Sequence, residues 1–481
     1  MRTRRDAATV VLLTLGVFVF YLAFLPPRIY SIDGMSMFQV AVSMLTRGTF
    51  EVSPSVVAAQ GRDGLYYSMC WPLSSVLALA PLSIAMSAAR HFHLDPARWA
   101  EVAVLFFSPA FAAVSAGLIA AVALRMKATI SAAMTAAVCF AFGTIAVVYT
   151  RDYFAEPLVT ALTLWGISTQ LDPSSSGVVA GAISGAGVLA KPPAIVLGPV
   201  FSLRAALQRR RARAIMLPLI GAAAGLGLYF LYNQYRFASP TTFGQPYHLR
   251  LRNIPFGAMG LLVSPGRGLI WYSPAVLAIA GLGRGRLRNP DVLMILAIAA
   301  GYFGIYTMWD GWWGGWCWGP RLLMPAIAVL MTLGALLEGG WMRAMVALSG
   351  AGFLINAPTL VSSYFNIFRE QMAAGLDPND LLWSFSRMPM LEVWRTAHEE
   401  LAGAPALNAR FVQPAPAGSL PMVEGIWWWK LAESGMPPWV GLAISALLVG
   451  ASLLLIAAAF RRARAACLSS SRQGCDTASA A

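Results

Sequence analysis

The sequence predicts an all-α polytopic membrane protein, a transmembrane helix bundle of about twelve spans. Three observations lead there. Of 481 residues, 58% are hydrophobic and 12% charged, whereas soluble globular chains carry roughly a quarter charged residues. Repeated apolar stretches approach the ~20 residues a helix needs to cross the hydrocarbon. The net charge of +14 sorts onto one side of the resulting topology, as an excess of Lys and Arg in cytoplasmic loops requires. In a soluble chain such a charge would point to nucleic acid. Here no nucleic-acid partner is expected, and membrane lipid is the surrounding solvent.

The clear spans fall at about 7–25, 101–124, 128–149, 157–171, 214–232, 268–283, 291–308, 320–337, 341–361 and 437–460. Met1–Arg5 precedes the first, and Leu25-Pro26-Pro27 follows it with no small-residue cleavage site. That pattern reads as an uncleaved anchor with its N-terminus inside. Residues 71–89 are ambiguous, and so are 177–207. If 71–89 crossed fully, Arg125 and Lys127 would face out. If it instead lies along the outer surface or dips in and back, those cations face the cytoplasm. The count is then restored when 177–207 forms a helical hairpin. Lys191-Pro192-Pro193 supports the hairpin, because an ammonium and a broken backbone are costly at mid-bilayer and cheap at a turn near the outer face.

This topology gives a transmembrane module over 1–361, whose first outer loop (26–100) holds juxtamembrane helices. A small extracytoplasmic segment follows at 362–436, then a last transmembrane helix at 437–464. Residues 465–481 form a disordered cytoplasmic tail. Both termini lie inside. Of the 35 basic residues 18 fall inside, with 5 of the 21 acidic ones. The other 16 acids therefore stand on the outer face.

Asp33 stands a few residues past the first span, before Gly34 and the amphipathic stretch Met35–Leu45. There it suits a helix N-cap or a functional base. Glu156 precedes Pro157, which opens the next span, and an acid is favoured there by the helix dipole. Arg151 is placed to pair with Asp152. Lys191, Arg267 in Ser264-Pro265-Gly266-Arg267-Gly268, and Arg321 in Gly319-Pro320-Arg321 each stand at an outer boundary. Snorkelling anchors would look the same. Glycine and proline around the two arginines, however, let backbone approach a ligand, and a guanidinium grips phosphate bidentately. The stretch Trp309–Trp318 holds five tryptophans among Asp310, Gly311, Gly314 and Gly315. It reads as an interfacial belt or as a wall for a sugar ring or prenyl chain. Trp427-Trp428-Trp429 reads as belt. Cys70 and Cys317 both fall outside, where a bridge would be permitted. His91-x-His93 lacks the further ligands of a metal site.

With these residues assembled, the chain resembles the GT-C glycosyltransferase superfamily, closest to protein O-mannosyltransferases and bacterial lipid A aminoarabinose transferases. The resemblance covers roughly 1–340. It rests on the acid after the first span, Gly61–Ser68 leading into Trp71-Pro72-Leu73, Phe154-Ala155-Glu156-Pro157, Leu189-Ala190-Lys191-Pro192, and Gly315–Arg321. It implies a polyprenyl-phosphate sugar donor and a hydroxyl-bearing acceptor at the outer face of a bacterial cytoplasmic membrane. Asp33 and Glu156 would be catalytic, with Asp33 as the base and Glu156 shaping the acceptor side. Lys191, Arg321 and Arg267 would bind the donor phosphate. Tyr67, Asp310, Trp312, Trp313 and Trp316 would form the substrate wall. No cofactor and no metal ligand set is expected, and a divalent-metal requirement stays open. Many relatives carry a second acid where this chain has Gly34, and some carry a lysine just before the Pro-Leu where it has Met69-Cys70-Trp71. One base without a paired nucleophile implies a single inverting displacement, and a phosphate leaving group needs cations rather than an acid. The rival classes are a lipid-linked sugar flippase and a non-catalytic lipid-binding scaffold of the same fold. Transporters place their polar groups near mid-bilayer at broken helices, whereas here they collect on one face.

Overall fold

The computed structural model describes residues 4–246, 248–401, 425–431 and 435–478. Helix α1 (Arg4–Leu22) leads to α2 (Ile32–Thr46) and an antiparallel hairpin of β1 (Ala58–Gln60) with β2 (Tyr66–Ser68). Next come α3 (Pro72–His91), α4 (Pro96–Leu105), α5 (Phe107–Arg125) and α6 (Ile130–Gly143). After a 3-10 turn at Ile145–Thr150, the chain forms α7 (Glu156–Gln170), α8 (Val178–Ala190), α9 (Leu197–Leu207) and α10 (Ala212–Phe237). Then follow α11 (Ile254–Val263), α12 (Leu269–Tyr272), α13 (Pro290–Met308), α14 (Met324–Gly334) and α15 (Gly339–Asn356). The last elements are α16 (Phe365–Ala373), α17 (Pro389–Leu401), α18 (Trp427–Lys430) and α19 (Pro438–Ala478).

Among the described residues, six helices are long and apolar enough to cross a membrane. A seventh arises if Gly339–Leu360 and Phe365–Ala373, bent by 63°, form one span. The sequence predicts about twelve. Shorter apolar helices, among them α6, α8 and α11, occupy part of the difference. The expected span at 268–283 is a four-residue helix followed by a 3-10 run over Pro274–Gly281. Pro274 has no N–H to continue a helix. The expected disordered tail is helical as far as Ala478, and 479–481 lie outside the described residues. So do 402–424 of the expected extracytoplasmic segment.

Side-chain bonds show which helix ends lie together. At one end, Ile29 N donates to Glu101 Oε1 at 2.8 Å, Ser31 N to Asp152 Oδ2 at 2.5 Å and Phe154 N to Ser108 Oγ at 2.9 Å. At the other, Arg125 bonds Ser168 O at 2.9 Å and pairs with Asp172, Arg204 pairs with Asp291 and bonds Gln170 O, and Arg286 pairs with Glu338. Helix α3 has the length and hydropathy of a span. Its start at Trp71 lies at the first end, yet Glu101 in α4 is back at that end. Together α3 and α4 are an excursion that leaves and re-enters one end of the bundle. Residues 177–207 run from the second end up through α8 and down through α9, with Lys191 at the joint.

That joint is held by glycine. Helices α8 and α10 approach so closely that a Cβ on Gly221 would lie 1.9 Å from the Gly181 carbonyl oxygen, and one on Gly225 2.4 Å from that of Gly185. Small residues spaced by four permit such backbone approach in lipid. Since the contact is backbone to backbone, no rotamer change relieves an added methyl. Gly221→Ala is expected to cost about 1–3 kcal/mol, the usual overpacking range, and to shift Lys191 at the end of α8. Thermal unfolding of the purified variant beside Gly227→Ala, where a Cβ meets nothing within 4 Å, checks the size and the location of the effect.

Candidate active site

The loop between α1 and α2 presents Asp33. Its cap is Ser31 rather than Asp33: the Ser31 Oγ accepts from Gly34 N at 3.0 Å. Relieved of capping, the Asp33 carboxylate turns to Arg321, whose Nη1 donates to Oδ2 at 2.7 Å. A side chain at Gly34 would meet the Tyr153 carbonyl oxygen and Ser31 Oγ, each 2.7 Å from a Cβ. An acid in this position therefore has no room.

Glu156 opens α7 and is 5% exposed, matched by Lys191 at 6%. The Lys191 ammonium is hydrogen-bonded to Glu156 Oε1 and sits 5.3 Å from the centre of the Trp71 ring. Arg321 approaches the same Glu156 oxygen with its Nε at 3.7 Å. That Nε is buried and has no hydrogen-bond partner. Four charged groups thus form one row, Asp33–Arg321–Glu156–Lys191, with a formal sum of zero. Buried charges must be paired, and this row pairs them while leaving a guanidinium N–H unspent.

The row borders a cavity of about 500 Å³ whose lining includes Asp33, Cys70, Trp71, Glu156, Lys191, Gln245, Trp309, Trp316 and Arg321. Met37, Val57, Leu322 and Phe365 supply apolar wall. Of the residues singled out in the sequence, Asp33, Glu156, Lys191, Arg321 and Trp316 meet here.

The others do not. Arg267 is buried away from the lining, with its guanidinium donating to the carbonyls of Gly266, Trp313 and Gly315 and its face 5.1 Å from the Phe368 ring. It shapes the tryptophan-rich loop instead of facing the cavity. Tyr67 gives its hydroxyl to Asp63 at 2.5 Å. Asp310 accepts from His248 N at 2.6 Å and lies 3.8 Å from Arg250. Trp312 is buried against Phe256 and Trp383. The Trp313 ring meets that of Trp312 edge-on, outside the lining. Cys70 and Cys317 are both free thiols, so the permitted bridge is absent. Among the described residues no three His, Cys, Asp or Glu side chains gather as a metal site. Cys70, Trp71 and Gln245 are lining residues that sequence reasoning did not place there, whereas Trp309 belongs to the stretch read as belt or wall. The sign for Trp71 was its position directly before Pro72, the first residue of α3.

Arg151 does not pair with Asp152. Its guanidinium donates to three carbonyls from separate segments: Phe24 at 3.2 Å, Gly425 at 2.8 Å, and Thr359. Asp152 instead accepts from Ser31 N at 2.5 Å and from its neighbour Tyr153 N at 2.6 Å. It thereby ties the loop ahead of α7 to the turn that carries Asp33.

No protein-family model matches the chain, and a search of curated proteins finds no match. Among solved structures the chain is similar to ArnT from Cupriavidus metallidurans. Against ArnT bound to undecaprenyl phosphate, the identity is 14% and the TM-score 0.46, over 95% of this chain and 77% of that one. Against the apo state, the values are 13% and 0.48, over 96% and 78%. The oligosaccharyltransferase of Archaeoglobus fulgidus is similar at 10% identity and TM-score 0.42, over 82% of this chain and 55% of that one.

Burial pushes the Asp152 carboxyl up to about 7, opposed by its backbone N–H donors. An acid whose pKa is raised by folding binds its proton more tightly in the folded state. Its contribution is most favourable below the unfolded value of about 4 and is lost as pH rises towards 7. The stability of the native protein relative to Asp152→Asn, which has no such group, should therefore fall between pH 4 and 7 and then level off. Thermal unfolding of both across that range measures it, and a flat difference would show that Asp152 does not titrate there.

Proposed function

We propose that the chain is an inverting GT-C-type glycosyltransferase that moves a sugar from a polyprenyl-phosphate donor to a hydroxyl acceptor. The observation that carries the reading is the row Asp33–Arg321–Glu156–Lys191 along one cavity with apolar wall. It puts a partly exposed carboxylate beside Arg321, with Lys191 further along the same cavity, at one end of an apolar helix bundle.

In the proposed reaction the acceptor oxygen attacks the anomeric carbon. The bond from that carbon to the phosphate oxygen breaks, and the acceptor proton passes to Asp33. The products are a glycoside of inverted configuration, a lipid phosphate and a protonated Asp33 that returns its proton to solvent. The displacement balances without a cofactor. Arg321 serves both partners: its Nη1 holds and orients Asp33, and its Nε, which has no hydrogen-bond partner, offers a donor to the phosphate. Lys191 adds the second positive charge, steadied by Glu156 and the Trp71 face. Fixed donors aimed at developing charge are the largest catalytic contribution in such sites. Trp309 and Trp316 offer flat faces to the sugar.

The topology proposed with this reading has about twelve passages, both termini inside and the site facing out. Arg125, Arg204 and Arg286 lie at the end opposite the site, which suits a cytoplasmic side rich in cations.

Asp33→Asn should keep the fold and lose about 10²–10⁴-fold in sugar transfer, the contribution of a positioned general base. Radiolabelled sugar transfer from a polyprenyl-phosphate donor by the purified protein in proteoliposomes is the measurement. Full activity would remove Asp33 from the role, and donor translocation without transfer would favour a flippase. For sidedness, Ser174→Cys should resist an impermeant thiol reagent in intact cells while Arg62→Cys on the β-hairpin reacts. The reverse pattern would invert the proposed orientation.

A further inference from the structure

Helix α11 presents Phe256, Met259, Leu262 and Val263 outward, with Phe256 56% exposed. Residues 378–388 are strapped onto its end: Gly266 N donates to Leu382 O at 3.2 Å, and Ser264 Oγ bonds the same carbonyl. The strap extends the apolar surface. The Trp383 ring lies 5.6 Å from that of Phe256, and the Phe385 ring meets Trp271 edge-on at 6.5 Å. Phe385 is nevertheless 64% exposed. The Trp271 indole gives its N–H to Val263 O at 2.9 Å, so its polar atom is satisfied within the protein and needs no water. Large aromatic side chains left in water forgo about 25 cal/mol per Å² of apolar area. Several in one place mark an interaction surface.

We infer that this strap is a membrane-lying element, with Trp383 and Phe385 seated in lipid beside α11. The lipid bilayer is the occupant because the patch is continuous with the outward apolar face of α11, a helix in the apolar bundle. The flanks fit the same placement. Asp377, Asp380 and Arg387 bracket the aromatic stretch with charge, and aromatic residues next to charged ones are the pattern of the lipid–water boundary. Residues 362–401 then include a part that grips the bilayer, rather than a domain held wholly in water. The inference rests on the chain being a multi-pass membrane protein and is independent of the transferase reading.

The test uses the full-length protein in liposomes of phosphatidylethanolamine and phosphatidylglycerol, with photoreactive benzoylphenylalanine in place of Phe385. Because this side chain is mostly exposed, the replacement leaves the packing intact. After irradiation, mass spectrometry is expected to find phospholipid acyl chains as the major adduct. Brominated lipid should also quench less tryptophan emission in Trp383→Phe than in the native protein. A cross-link between two copies would overturn the inference in favour of a self-interface. A probe that forms no lipid adduct and reacts only with water or soluble protein would overturn it in favour of a solvent-facing or partner-docking surface.

Discussion

Everything at the candidate site depends on neutralising charge where water is scarce. Lys191 and Glu156 are nearly inaccessible, and an isolated charge at such a position costs several kcal/mol. The fold answers with a row of alternating signs, each member delivered by a different part of the chain. Asp33 comes from the turn after α1, Arg321 from the turn before α14, Glu156 from the start of α7 and Lys191 from the joint of α8 and α9. Removing Glu156 would leave Lys191 without its counter-charge. The row thus joins four separate segments of the bundle, and the glycine contact of α8 with α10 lies on the helix that ends at Lys191.

The same row sets the electrostatic state that a ligand would meet. With two acids and two bases the resting site is neutral, and both cations are already engaged with carboxylates. An anion enters only by sharing those cations. Arg321 is suited to sharing, because a planar guanidinium has five N–H groups and serves two oxygen partners at once. Lys191 is a point charge bonded to Glu156, with the Trp71 ring centre 5.3 Å from its Nζ. Two cations of different geometry thus line the cavity, one a planar fork and one a point charge.

How much of this was legible in the sequence depended on the range of the interaction. Asp33, Glu156, Lys191 and Arg321 stood out because charge beside an apolar run is expensive, and expense is visible locally. Trp316 was visible as part of an unusual local composition. Arg267 carried the same local signal, flanked by Gly and Pro. Its partners are carbonyls of the loop at 313–315, and no local pattern tells a guanidinium that grips backbone from one that grips a ligand. Trp312 was likewise indistinguishable from Trp316 until Gly260 proved to leave space for its ring. The hairpin at 177–207 was legible from Lys191-Pro192-Pro193, because burying that ammonium at mid-bilayer would be costly. The irregular backbone after Pro274 was hidden by an unbroken apolar composition, which records burial but not helical geometry.

The clamp at Arg151 has a consequence for biogenesis. Its guanidinium closes on Phe24, Thr359 and Gly425, while Trp427 N bonds Leu25 O, Trp428 Nε1 bonds Leu22 O and α19 packs along α1. Helix α1 thus packs against α19, which is synthesised some 400 residues later. Until then, α1 and the turn bearing Asp33 lack their final support. A nascent chain would carry every charged residue of the row long before α19 emerged to support the turn that bears Asp33.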